Sequence, residues 1–330
     1  MICCPFHADR NPSMKVDFRF HCFGCGVGGN VITFVMEYEN YTFPEAVKML
    51  GERAGMELPE TDYSAEDRKD RDIKTRLLEI NKIAATYYYH QLKSEAGKSG
   101  LDYLVKRGLS DKTINSFGLG FAPQSTGELY RMLKDKGYDD EILKESGLFT
   151  YEKGVRDKFW NRVIFPIMDI NNKVIGFGGR VMGDVKPKYL NSPETKLFDK
   201  SRNLYGLNAA RTARKNNLII CEGYMDVISL HQAGFTQAVA SLGTALTPGH
   251  ARLLKRYTDN VLITYDSDEA GVKAALRAIP ILKEAGLSTK VINMRPYKDP
   301  DEFIKAMGAE AFQERIDNAE NSFMYEIGTM

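Results

Sequence analysis

NLIICEGYMDVISLHQAG, residues 217–234, opens with a short apolar run that halts at Glu222 and Gly223 and continues with apolar residues at helical spacing. A few consecutive apolar residues bounded by a turn signal suit a strand buried on both faces, and the following segment suits a crossover helix. The alternation then repeats. QAVASLG (237–243), NVLITYDSD (260–268) and STKVINM (288–294) read as strands, and TPGHARLLKRY (247–257), EAGVKAALRAIPILKEAG (269–286) and DPDEFIKAMG (299–308) read as helices. Strands that alternate with helices predict a parallel sheet with helices packed on its faces, so residues 213–310 are expected to form an α/β domain.

The carboxylates of this region gather where its strands end. Glu222 follows NLIIC, Asp266 and Asp268 follow VLITY, and Asp299 and Asp301 follow VINM after a short loop. The carboxyl ends of strands border the ligand crevice of an open parallel sheet, so groups far apart in sequence are expected to converge there. Convergent carboxylates repel one another unless cations lie between them, and hard oxygen donors suit Mg2+ or Mn2+. Cys221 falls in the expected buried strand and reads as a small core residue.

Upstream, residues 77–146 are helical in pattern, with LLEINKIAATYYYHQLK, GLDYLVKRGLSDKTINSFGLG and TGELYRMLKDKGYDDEILKESG broken by glycines. RVIFPIMD and KVIGFGGRVMG, separated by the turn signal NN, then read as strands. Residues 151–215 carry 14 Lys/Arg against 6 Asp/Glu, and residues 216–330 carry 11 against 15, so a basic segment precedes the acidic one. Within the basic part, Arg162, Arg180, Lys188, Lys200 and Arg202 lie among glycines beside Tyr189. Cations neutralise phosphates and an aromatic ring stacks on a base without reading it, although a solvated face has the same composition.

The first residues raise a different chemistry. CCPFHADRNPSMKVDFRFHCFGCGVGGN, residues 3–30, holds four of the five cysteines. Cys4 and His7 form a C-x2-H pair and Cys22 and Cys25 a C-x2-C pair, which together present four ligands to one structural Zn2+. Cys3 and His21 compete for their neighbours' roles, and the x2 spacing favours Cys4 and Cys22. The stretch between the pairs reads as a hairpin with alternating Met14, Val16 and Phe18. Thr42 and Glu45 have capping-box spacing for a helix with Ala46, Val47, Leu50 and Ala54 on one face, stopped by Gly55. A metal replaces the core that so small a module lacks. Eleven of the seventeen residues at 60–76 are charged with both signs mixed, which reads as an exposed linker or the start of a solvated helix.

Net charge is +1, and no apolar run nears the ~20 residues that cross a bilayer, so no membrane partner is expected. Without a signal-peptide pattern, a cytoplasmic, reducing setting is expected and disulfides are not.

CPFH, PSMKV, HCFGCGVGGN, YLVKRGLSDKTINSFGLGFAP, NRVIFPIMD, VIGFGGRV, PKYLNSPET, LYGLNAAR, EGYMDV, YDSDEAG and KDPDEFI follow one another along the chain. In content and order they resemble the bacterial DnaG-type DNA primases, over nearly the whole length. The pattern E-G-x-x-D, D-S-D-x-A-G, D-P-D resembles the Toprim domain that these primases share with topoisomerases and some nucleases. The resemblance implies five segments: a zinc-ribbon DNA-binding domain (1–59), a charged linker (60–76), a mixed α+β N-terminal subdomain with a basic groove (77–212), a Toprim-type parallel sheet flanked by helices (213–310) and the start of a C-terminal helical subdomain (311–330). It implies that Glu222 lies nearest the reacting centre with Asp266 and Asp268 as catalytic partners. These three and Asp226, Asp299 and Asp301 would form the pocket for two or more Mg2+ or Mn2+ ions. Arg107, Arg162, Arg180, Lys188, Tyr189, Asn191 and Lys200 would line the surface for template and nucleotide.

The implied function is synthesis of short RNA primers from ribonucleoside triphosphates on a single-stranded DNA template in bacterial, phage or plasmid replication. A replicative helicase is an expected partner through a domain absent here. The hairpin is shorter than in most relatives, and the chain is expected to be a fragment lacking the extreme N-terminus and the C-terminal helicase-binding domain. A topoisomerase or nuclease, or an inert template-binding accessory, are the alternatives. A topoisomerase would need a tyrosine in a separate domain, and none is expected in the remaining residues, which disfavours that alternative.

Overall fold

A computed structural model of the chain describes residues 1–6, 9, 11–39, 41, 43–56, 65–125, 127–152 and 154–329. Two compact units divide it, Met1–Asp67 and Arg68–Met330. In the first, Met14–Val16 pairs antiparallel with Phe20–Cys22, which pairs in turn with Gly28–Gly29. Helices Val31–Glu39 and Phe43–Ala54 follow, and Gly55, at φ 63°, ends the second in a conformation that glycine adopts without strain. Thr42, half of the expected capping box, lies outside the described residues. The core is small: Cys4, Met14, Phe20 and Cys22 are buried, with Phe6, Val27 and Phe34 packed against them. The expected Met14, Val16, Phe18 alternation needs correction. Only Met14 is buried, because the hairpin turns at Asp17–Arg19 and carries Val16 and Phe18 out of the core, leaving Phe18 fully exposed.

The second unit begins within the 28-residue helix Ala65–Leu92. Residues 65–76, expected in a charged linker, form its first turns, because opposite charges at helical spacing support a solvated helix, as Lys74 does with Asp70 at 2.7 Å. Leu77, Ile80, Ala84, Tyr88 and Leu92 recur every three or four residues and are buried. Helices Lys98–Lys106, Asp111–Ser116, Glu128–Asp135 and Asp140–Glu145 match the helical text upstream. They accompany an antiparallel sheet ordered Gly120–Ala122, Arg162–Met168, Val174–Val181, Tyr189–Asn191.

The parallel sheet forms as the alternation required. Its order is Ala238–Ala240, Leu218–Cys221, Asn260–Ile263, Ser288–Val291, with Glu320–Asn321 added antiparallel at one edge. From the first strand of the region, Leu218–Cys221, the chain crosses to one side and then returns to the other. The switch point therefore lies between Leu218–Cys221 and Asn260–Ile263. One hydrophobic core joins Val163, Phe165 and Ile167 of the antiparallel sheet to Ile219, Cys221 and Tyr224, which makes the two sheets a single body and Cys221 the core residue expected. The last helix of the alternation runs on to Asp317 with a break at Gly308, whose φ is 82°.

Candidate active site and zinc centre

Each acidic residue arrives at the mouth of the parallel sheet for a local reason. Helix Tyr224–Gln232 follows its strand after one turn, and Asp226, in its first turn, accepts the Gly223 N–H at 3.0 Å. Asp268 caps helix Glu269–Glu284 by accepting the Gly271 N–H at 2.9 Å, and Asp299 caps helix Pro300–Asp317 by accepting the Glu302 N–H at 2.8 Å. Capping alone would explain Asp268 and Asp299. It does not explain Glu222, which caps nothing: its Oε1 reaches across the switch point to accept the backbone N–H of Asp266 at 2.9 Å.

Electrostatics bind these groups into one site. Burial raises the pKa of Glu222, and the Asp266 and Asp268 carboxylates raise it further against the opposing hydrogen bond from the Asp266 N–H. Asp226 is buried and raised well above the ordinary carboxylate range, first by burial and then by Asp299, Asp266 and Asp301. Burial also raises Asp266, although the Lys298 ammonium lies 3.3 Å from its Oδ2 and opposes the rise. Lys298 is itself raised by Asp266 first, with Asp299 and Asp268 contributing. A side-chain cation therefore stands among the carboxylates where the sequence argument placed a metal ion. Among the described residues, however, these oxygens do not close to within 4.8 Å as a group of three.

Asp301 couples to Asp226 but is held by other partners. It is 3% exposed, its Oδ1 accepts the Ser229 hydroxyl, and its Oδ2 accepts both Arg107 Nη2 and Lys305 Nζ, the latter at 2.7 Å. Both oxygens are engaged by side-chain donors, so Asp301 sits between two cations. Arg107 is engaged with it: its guanidinium is held by Asp301 and by the Tyr103 hydroxyl at 3.2 Å.

The basic surface is likewise sorted by burial. Arg162 is 6% exposed and donates to the carbonyls of Gly179, Pro187 and Lys188 at 3.0–3.3 Å. It braces the turn that carries Lys188 from its place in an inner strand of the sheet. Asn191 is also a strut: its amide donates to the Leu242 carbonyl at 2.8 Å and its Oδ1 accepts the Tyr224 hydroxyl at 2.7 Å, tying the antiparallel sheet to the parallel one. Arg180 lies over the Tyr103 ring, 4.1 Å from its centroid. Lys188 and Tyr189 are exposed, and Lys200 is half-buried. The Tyr189 hydroxyl is pushed up to about 12 by burial and Tyr103, with Arg180 and Arg107 opposing and Asp226 adding, which places the edge of the basic surface beside the acidic pocket.

Three structural parts escaped the sequence reading. Tyr224 was visible only as part of EGYMD, and Lys298 as the residue before DPD. His250 was visible as the fourth residue of TPGH, an N-cap with a partner three residues on. It is wholly buried, accepts the Thr247 N–H at 3.2 Å and contacts the carbonyls of Lys200 and Asn203 at 2.8 and 3.1 Å, so it fixes the loop that carries Lys200.

In the smaller unit Cys4, Cys22 and Cys25 bring their sulfur atoms within 4.8 Å of one another. Backbone N–H groups point at two of them, from Phe6 to Cys4 at 3.4 Å and from Gly24 and Cys25 to Cys22 at 3.3 and 3.4 Å. Burial opposes the Cys22 thiolate, but Ser13, 3.3 Å away and anchored by Asp9, with the Cys25 and Gly24 N–H groups brings its pKa down to about 6, whereas burial pushes the Cys4 thiol up to about 11. Donors aimed at clustered sulfur suit zinc-bound thiolates. Neither Cys3 nor His21 joins the cluster, and both are exposed. His7, the expected fourth ligand, lies outside the described residues.

A CHC2 zinc finger matches residues 1–66, the N-terminal domain of the DNA primase catalytic core matches 87–211, and a Toprim-like domain matches 219–304. Fold and site thus define a Toprim protein with an N-terminal zinc ribbon. The DNA primases of Clostridium acetobutylicum and Halalkalibacterium halodurans are 47% and 42% identical over 98% and 95% of the chain. The Aquifex aeolicus primase, solved with its zinc-binding and RNA polymerase domains, is 38% identical with a TM-score of 0.70 over 96% of this chain and 77% of that one. A DnaG primase catalytic domain bound to single-stranded DNA is also 38% identical, with a TM-score of 0.73 over 78% of this chain and 83% of that one. The chain belongs to the bacterial DnaG-type DNA primase family. It spans about half the length of the curated relatives it matches, 55% and 53% for those two.

Proposed function

We propose that this chain carries the catalytic core of a DNA-directed RNA polymerase that makes short RNA primers, a nucleotidyltransferase acting on single-stranded DNA in the bacterial cytoplasm. The observation that carries this reading is the pairing of Glu222 with Asp266 at the sheet's switch point, with Asp226, Asp268 and Asp299 close enough to couple to them. Buried carboxylates that resist ionisation together exchange protons for a hard divalent cation, and their oxygen chemistry fits Mg2+ or Mn2+. Glu222, Asp226, Asp266, Asp268 and Asp299 would hold it. Bound there, such an ion would neutralise a triphosphate and activate a 3'-hydroxyl for attack on the α-phosphate.

The chain's own residues prepare that chemistry. The Asp266 N–H orients Glu222, and the helix N-termini orient Asp268 and Asp299, so the pocket is set before substrate arrives. Lys298 pairs with Asp266. Arg180 and Lys188 offer charge to template phosphates, Lys200 supplies a further cation from its braced loop, and the half-exposed Tyr189 offers a ring to a base. The zinc unit, with Cys4, Cys22, Cys25 and His7 as ligands, would engage the single strand.

The test is primer synthesis on single-stranded DNA with ribonucleoside triphosphates and Mg2+. Glu222→Gln and Asp266→Asn are each expected to lower product by at least ~100-fold while DNA binding persists. If the zinc-loaded, full-length wild-type protein yields no primer, the inert template-binder prevails, and if it cuts the strand instead, the nuclease reading does.

A further inference from the structure

Asp301 and Arg107 meet each other across two parts of the body. Arg107 ends helix Lys98–Lys106 of the N-terminal subdomain, and Asp301 begins the helix that closes the acidic pocket. A carboxylate buried against Arg107, Lys305 and the Ser229 hydroxyl already has three donors, and a metal ion there would meet two cations. Arg107 passes the constraint on. Its Nη1 donates to the Tyr103 hydroxyl at 3.2 Å, and the Tyr103 ring in turn carries the Arg180 guanidinium 4.1 Å above its centroid.

Arg180 is the unusual member. Its Nε is buried without a partner, its Nη1 donates only to the Val181 carbonyl at 3.2 Å, and no carboxylate pairs with it among the described residues. An aromatic face therefore holds its charge without cancelling it. A guanidinium fixed by a ring rather than by an acid stays available to an anion, and the adjoining Tyr189 is 40% exposed. We propose that Asp301 is a positioning residue for nucleic-acid binding and not a metal ligand: it fixes Arg107, which fixes Tyr103, which presents Arg180 to a backbone phosphate of the single strand.

This rests on the primase reading only for its ligand. It is tested on the 330-residue chain by equilibrium binding, with no turnover, so loss of primer synthesis and loss of this relay are separate results. Mn2+ affinity is measured by electron paramagnetic resonance, and binding of a labelled single-stranded oligodeoxynucleotide by anisotropy across a salt series. Asp301→Asn, Arg107→Gln and Tyr103→Leu are expected to keep Mn2+ affinity within about twofold and to weaken DNA binding by ~5- to 20-fold. Each should lower the slope of log K against log salt by about 0.7, one phosphate contact on a single strand. Tyr103→Phe, which keeps the ring, should retain most of the affinity and the slope, and Asp266→Asn should lose Mn2+ instead. If Asp301→Asn loses Mn2+ as Asp266→Asn does, Asp301 is a ligand and the proposal fails. Weaker DNA binding at an unchanged salt slope in Tyr103→Leu, at a half-buried position that leaves the Asp301 carboxylate and both its cations in the chain, overturns it as well.

Discussion

His250 shows how a buried side chain serves a surface one. Its ring lies between the cap of helix Pro248–Lys255 and the carbonyls of the loop that carries Lys200, accepting from one and donating to the other, which only the neutral imidazole can do. Burial accordingly lowers its pKa against the carbonyls and Asp199, which raise it, and burial lowers His231 in the same way. Both folded values lie below the unfolded one of about 6.5. Their contribution to stability is therefore complete above about pH 6.5 and is lost as the pH falls below it toward the lowered folded values. Chemical denaturation of His250→Gln from pH 8 to pH 5 should give a protein less stable than wild type at pH 8, by about 1–2 kcal/mol for two lost buried hydrogen bonds, with a shallower acid decline. An equal acid decline in both proteins would remove His250 as a cause. TPGH announced the cap, but nothing local announced that the ring's other nitrogen would meet residues some fifty positions earlier.

Among the elements, strand Val174–Val181 is the one whose sequence looks least like a strand. GFGG interrupts it, and the structure supplies the reason, since three of its residues face large side chains from elsewhere. A Cβ at Gly178 would lie inside contact distance of the Tyr224 ring and hydroxyl, and one at Gly179 would lie 2.8 Å from the Phe159 ring. The bare backbone lets Tyr224 lie beneath the sheet, stack on Phe165 at 4.8 Å and reach Asn191. Gly178→Ala is expected to cost about 1–3 kcal/mol by overpacking and to lower primer synthesis, because it pushes on the tie between the sheets. Gly328→Ala, whose new methyl meets nothing within 4 Å, should leave the thermal midpoint unchanged and serves as the control. Strand periodicity was legible here, whereas the partner that required glycine was not, because that partner lies 46 positions away in the next domain.

The whole molecule divides into a body with extended cores and a small unit that has scarcely any. Four buried residues with three neighbours make up the core of Met1–Asp67, against large joined clusters in Arg68–Met330. Removal of zinc by a strong chelator should therefore melt the smaller unit and leave the main calorimetric transition of the larger one within a few degrees of its place. Cys22→Ser should reproduce the first effect without chelator, and loss of both transitions together would mean that the units do not fold independently. Alternation of strand and helix, ligand spacing and strand-end acids are properties of neighbouring residues, so the sequence by itself determined the parallel sheet, the clustering of Cys4, Cys22 and Cys25, and the placing of Glu222, Asp266, Asp268 and Asp299 at strand ends. Which charges stay free is a property of distant neighbours. Arg162, Arg107 and Asp301 look like Arg180 and Asp266 when read along the chain, and only the tertiary structure buried the first three against carbonyls and one another, since burial and pairing depend on what the rest of the fold packs beside each group.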